Sequence, residues 1–175
     1  MSSVLTKAKA AKAPDFARSS DDLHQTLDSQ VNEGKPSFFR LKAQLPKQGR
    51  TNVPLAASKK MWIVLKTYAA DGENELHAHP SEDHAFVILQ GKGSFHGPNG
   101  EEKTIGKNEG VLLPHGTFYW FKAVGEEPMV LLRIGCSALD GATHRGRIGI
   151  DGKPMAGDSA ENKTVKRVMT DEWFG

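Results

Sequence analysis

The stretch Glu75-Leu-His-Ala-His-Pro-Ser-Glu-Asp-His84 places three imidazoles, His77, His79 and His84, within eight residues. His77 and His79 are two apart, so on a β-strand both side chains leave the same face. His84 follows a Pro-Ser-Glu-Asp turn and heads an apolar run, Ala85 to Leu89, that stops at Gln90-Gly-Lys-Gly93. Two histidines on one strand face, with a third returning beside them, point three nitrogens at one ion. Imidazole suits zinc, copper, iron and nickel. A lone histidine is more often structural or solvated; three at this spacing favour a metal. Glu82 and Asp83 read as turn residues, with Glu82 close enough to supply a further group.

Such a cluster needs strands to hold it, and the chain supplies them. Its 175 residues bound one domain with one core. The formal charge of +2 is too small to argue for nucleic acid. No apolar run is long enough to span a membrane, and the N-terminus lacks the apolar core of a secretory signal. A single cysteine, Cys136, allows no intrachain disulfide and fits a cytoplasmic location. The 18 glycines and 9 prolines fall mostly between short apolar runs, which favours many strands joined by turns.

Residues 1–14 are rich in Ala and Lys and read as a flexible tail. Residues 15–60 form an N-terminal extension. In it, Leu23, Leu27 and Val31 recur at helical spacing behind Ser and Asp caps, predicting a short helix on the outside of the main body. Phe38 to Leu41 is a candidate edge strand, and Leu45 to Pro54 reads as loop. Met61 to Tyr68 is a strong strand. After the His77/His79 strand and the run from His84, further strands are predicted at Ser94–His96, from Lys103, at Val111–Pro114, at Phe118–Lys122 and at Met129–Ile134. About eight strands at intervals of roughly ten residues make an antiparallel sandwich or barrel. Residues 136–175 read as a C-terminal arm over the barrel or a partner subunit, with Lys163–Met169 a strand or short helix.

The core, residues 61–135, resembles the cupins, of the cupin 2 type. These are all-β jelly-roll, double-stranded β-helix barrels that usually hold one metal in the barrel mouth. The first family motif runs His-x-His, four residues, Glu, six residues, Gly. His77, His79 and Gly91 match it, with His84 at the Glu position and Gly72 one residue closer than the usual leading Gly. The second runs Pro-x-Gly, two residues, His, three residues, Asn. Pro114 and Gly116 match, Tyr119 stands at the ligand His, Ala123 at the Asn, and Asn108 at the leading Gly. The resemblance implies one divalent metal on His77, His79 and His84, with Fe(II) favoured and Zn, Mn or Ni as alternatives. It also implies that Tyr119 faces that metal. The phenol is a ligand as phenolate, a hydrogen-bond donor to a metal-bound species, or an acid/base; a role outside the ligand set is favoured, because a neutral phenol is a poor ligand.

Strand parity places Phe86 and Ile88 with His84, and Phe121 with Tyr119, lining an apolar interior that suits a small substrate. Arg50 is a candidate anchor for a substrate carboxylate, against the plainer reading of a solvated loop arginine. His96 and His115 read as lying outside the site, and Trp62 is undecided. The resemblance points to all-histidine iron cupins, and so to an Fe(II)-dependent dioxygenase acting on a small enolisable, β-diketone-like or phenolic molecule. A Zn, Mn or Ni isomerase, lyase or hydrolase is the second reading. A non-catalytic small-molecule-binding cupin is the third. Cupins of this size are commonly dimers, so a homodimer without nucleic-acid or membrane partners is expected.

Overall fold

The computed structural model of the chain describes residues 16–32, 34–138 and 146–175; the predicted tail over 1–14 lies outside them. Among the described residues one helix precedes twelve strands. Helix α1 spans Ser20–Ser29. The strands are β1 (Ala43–Gln48), β2 (Arg50–Ala57), β3 (Met61–Tyr68), β4 (His77–Ala78), β5 (Glu82–Gln90), β6 (Lys92–His96), β7 (Glu102–Gly106), β8 (Gly110–Leu113), β9 (Trp120–Val124), β10 (Met129–Ser137), β11 (Ile148–Gly149) and β12 (Val168–Phe174). All strand pairs are antiparallel.

Five strands form the main sheet in the order β2-β3-β10-β5-β8, and β7-β6-β9 form the opposing one. Between them lies an aromatic core containing Tyr68, Phe86, Phe95, Tyr119 and Phe121, closed by Ile88, Met129 and Leu131. Residues two apart on β5 (Glu82, His84, Phe86 and Ile88) are all buried, while Asp83, Ala85 and Val87 are less so. That period of two aims one row of β5 inward.

Helix α1 starts where Ser19 Oγ accepts the Asp22 backbone N–H at 3.1 Å, with Asp21 and Asp22 in the first turn. Leu23 and Leu27, four apart, share one face and pack on Trp62 and Val64 of β3. The helix therefore covers one end of the main sheet's inner face.

The sequence expectations fail at two places before β3. Phe38–Leu41 is not a strand; Phe38 is almost wholly exposed and joins no sheet. Leu45–Pro54, expected as loop, contributes to β1 and β2, which are linked by Gly49 at φ +81°. The prolines that suggested a loop sit where the registers shift, Pro46 in β1 and Pro54 in β2. Proline is tolerated at such irregularities. Near the C-terminus, β11 pairs with the histidine strand β4, and β12 pairs with β1. Among the described residues no helix is long and apolar enough to cross a membrane.

Candidate metal centre

The short strand β4 is held on both sides. Residues His77 and Tyr119 exchange backbone hydrogen bonds, His77 N to Tyr119 O at 3.1 Å and Tyr119 N to His77 O at 2.9 Å. On the other edge Ala78 faces Ile148, and His77 faces Gly149. Upstream, Asn74 Oδ1 accepts the Phe121 N–H at 2.8 Å, which fixes the approach to β4. His77, His79 and His84 are all buried, and their rings form one group. Centroids lie 5.1 Å apart for His77 and His79, and 4.2 Å for His79 and His84.

The tightest set of possible ligand atoms is His79, Glu82 and His84, all within 4.8 Å of one another. Glu82 is thus inside the site and His77 is outside this closest set. The turn expected over Pro80–Asp83 is shorter, because β5 already begins at Glu82. Glu82 therefore shares the inward row with His84. Its Oε2 lies 3.2 Å from His84 Nε2 and 3.3 Å from His79 Nδ1. Its Oε1 accepts the Trp62 indole N–H at 3.0 Å. Trp62 fits there because β10 carries Gly135 opposite it; a Cβ at Gly135 would sit inside the indole ring.

His77 Nδ1 donates to the Glu75 carbonyl at 2.6 Å and His79 Nδ1 to the Gly146 carbonyl at 3.0 Å, which leaves both Nε2 lone pairs for another partner. Near that position stands a residue the sequence reading missed. Arg133 Nη2 lies 3.3 Å from His79 Nε2 and 3.2 Å from His84 Nε2. Its guanidinium also lies over the Trp62 ring, 4.6 Å from the centroid. The signal was present: Arg133 interrupts an apolar strand, in phase with the buried Met129 and Leu131.

The other sequence candidates separate. Tyr119 is buried beside His77, with ring centroids 4.5 Å apart. Phe86, Ile88 and Phe121 lie in the packed aromatic core, and none of them lines the large cavity at the mouth. Arg50 does line that cavity, but its guanidinium is engaged. It donates to the Glu73, Gly157 and Asn162 carbonyls and to Thr164 Oγ1 at 2.6–3.0 Å. His96 stacks on Trp120 with centroids 3.9 Å apart, and His115 is half-exposed against Asp83.

Residues 64–135 match the family model described as the cupin domain. This part of the chain is a cupin barrel. Among solved structures, the cupin resembles a conserved protein of unknown function, SPY1581 from Streptococcus pyogenes. Identity is 15%, over 62% of this chain and 91% of that one, with a TM-score of 0.50. It is also similar to the Cnp3 cupin domain of Schizosaccharomyces pombe, at 20% identity over 53% of this chain and 67% of that one, with a TM-score of 0.49. At 15% identity the likeness to the Streptococcus pyogenes protein speaks for the fold alone. No curated protein matches the sequence.

Electrostatics divide the cupin's donor set into neutral imidazoles and an ionised carboxylate. Burial depresses all three histidines. For His84, burial and the adjacent Arg133 outweigh Glu82 and bring it down to about 4. Burial alone would raise the Glu82 carboxyl, but hydrogen bonds from His79 and His84 and the Arg133 charge hold it well below the usual range. Burial pushes the Tyr119 phenol up to about 12, so it stays protonated at neutral pH. Two neutral imidazoles and one carboxylate suit a divalent cation. The Arg133 charge beside the same nitrogens opposes one.

Proposed function

We propose that this cupin is a mononuclear metalloenzyme with iron on His79, Glu82 and His84, acting as a dioxygenase on a small enolisable or phenolic molecule. The observation that carries the reading is the buried His79–Glu82–His84 set, whose ligand atoms lie within 4.8 Å of one another. Two histidines and one carboxylate form the donor set of non-haem Fe(II) oxygenases. This replaces the three-histidine set expected from the sequence but keeps the same class of chemistry. Iron held there would supply oxygen activation, which no protein side chain provides.

The rest of the task falls to the chain. Trp62 holds Glu82 in place, and the backbone carbonyls of Glu75 and Gly146 fix the tautomers of His77 and His79. Tyr119 remains a neutral phenol, able to donate a hydrogen bond but poorly suited to bind the ion. Helix α1 packs on Trp62 and Val64 of β3, beside the centre. The same donor set also suits zinc in hydrolases, so a Lewis-acid reaction is the second reading. Anaerobic loading with Fe(II) or Zn(II), followed by oxygen uptake on a panel of β-diketones and phenols, separates the two. Uptake with iron and none with zinc is the expected result; substrate loss with zinc and no oxygen consumed would favour the second.

A further inference from the structure

A cavity of about 680 Å³ opens between α1, strands β2, β3 and β10, and the segment that ends in Asn162. Its size is that of a small-molecule site. It reaches the metal centre at His79, Glu82 and Arg133. One wall is apolar, formed by Leu23, Leu27 and Val31 with the Trp62 ring. The opposite character comes from Lys66 of β3, Arg133 of β10 and Arg147, all of which line the same space.

These cations are not compensated. Lys66 and Arg133 are buried, at 6% and 7% exposure. Among the described residues neither they nor Arg147 forms an ion pair with an acid. Glu82 is the one buried acid of the lining and is engaged by Trp62, His79 and His84. The other lining acids, Asp21, Asp28 and Asp158, are exposed. Among the described residues five buried side-chain polar atoms lack any partner. Four belong to residues lining this cavity: the Tyr68 hydroxyl, Arg133 Nε, Arg147 Nη1 and Asn52 Oδ1. Buried donors left unpaired cost stability unless something meets them. Three of the four atoms offer an N–H or O–H, so the missing partner is an acceptor. Burial, and then repulsion from Arg133, Arg50 and Arg147, push the Lys66 ammonium well down, as expected where an anion is lacking.

We propose that this cavity binds a small dicarboxylate, with Lys66, Arg133 and Arg147 taking the carboxylates and the α1 wall covering the carbon backbone. With Arg50 also in the lining, these cations exceed the single buried acid Glu82 by at least two charges. The apolar wall favours a carbon skeleton over an inorganic ion. A carboxylate on Arg133 would also neutralise the charge that faces the histidines. The proposal names the ligand class of the metalloenzyme site, but it requires no metal and is tested without one.

The test is titration calorimetry on the full chain, stripped of metal with chelator, using succinate, malonate, the neutral diamide of succinate, and inorganic phosphate. One saturable site for a dicarboxylate is expected, with none for the diamide and weaker binding of phosphate. Lys66→Met and Arg147→Met should each weaken it by about tenfold or more. Lys66→Met should also melt higher than the wild type without ligand, because an unpaired buried charge is removed. At one fixed succinate concentration the melting temperature of the wild type should rise more than that of this variant. Absence of dicarboxylate binding up to millimolar concentration would overturn the proposal, as would unchanged affinity in both variants. Phosphate binding tighter than either dicarboxylate would overturn the assignment of ligand class. Each result stands whether or not the protein takes iron.

Discussion

The guanidinium of Arg133 stands 3.2 Å from Nε2 of His84, against the nitrogens that would hold a metal. A fixed positive charge so close opposes a divalent cation through a poorly screened medium. Arg133→Met keeps much of the apolar stem and removes the charge. It is expected to tighten Fe(II) or Zn(II) binding by about tenfold or more. Competition with a chromophoric chelator measures this. An unchanged or weaker affinity would mean that Arg133 supports the ligands instead of opposing the ion.

Trp62 acts on the centre through Glu82. Its indole N–H is the hydrogen bond that fixes Oε1 of that carboxylate. Partners behind the ligands typically tune metal affinity by about 10- to 100-fold. Trp62→Phe keeps the ring that packs on α1 and loses the donor. Metal affinity should fall within that range while the melting temperature of the metal-free protein changes little. A variant that binds metal as well as the wild type would remove Trp62 from this role.

The buried histidines set a pH dependence for the metal-free protein. His84 has an ordinary value of 6.5 and a folded value of about 4. Above 6.5 both folded and unfolded chains carry the neutral ring, and stability is at its full value. Between about 6.5 and 4 the unfolded chain takes up the proton first, so stability falls; below that the loss from this residue levels off. The loss is on the order of 3 kcal/mol from His84 alone. Glu82, whose folded value is depressed, adds a further loss below its ordinary 4.5. Urea unfolding in chelator at a series of pH values should show stability rising from pH 4 to 6.5 and then flattening.

Tyr119 occupies a ligand position of the family pattern but stays a phenol, its pKa pushed up to about 12 by burial. Tyr119→Phe should therefore retain metal at the wild-type ratio and lose turnover on the iron-loaded protein. Loss of metal in this variant, read by elemental analysis, would make the tyrosine a ligand.

Strands of strong alternation were legible from residue types alone. Met61–Tyr68 emerged as β3 with its expected bounds, and the inward phase of His84, Phe86 and Ile88 followed from a period of two. What misled was local composition. Pro46 and Pro54 suggested a loop, yet both are accommodated at register shifts in β1 and β2. In the site, Pro80-Ser-Glu-Asp83 has turn composition, so Glu82 read first as a turn residue and only second as a further group, although it lies two residues before His84 and shares its phase. Arg133 and Lys66 were hidden because a cation within an apolar strand is read as an interruption, while strand phase places both inside. The cavity was not readable at all. It is assembled from α1, the main sheet and residues after Gly146, and no local pattern announces that these three meet.

The most direct test is the metal content of anaerobically reconstituted protein, compared across wild type, Glu82→Ala, His79→Ala, His84→Ala and His77→Ala. The account predicts one iron per wild-type chain. It predicts near-complete loss in Glu82→Ala, His79→Ala and His84→Ala, and a smaller loss in His77→Ala, which stands outside the closest donor set. Full iron retention in Glu82→Ala together with complete loss in His77→Ala would contradict it and restore a three-histidine centre. A wild-type chain that retains no divalent metal at all would contradict the metalloenzyme reading itself.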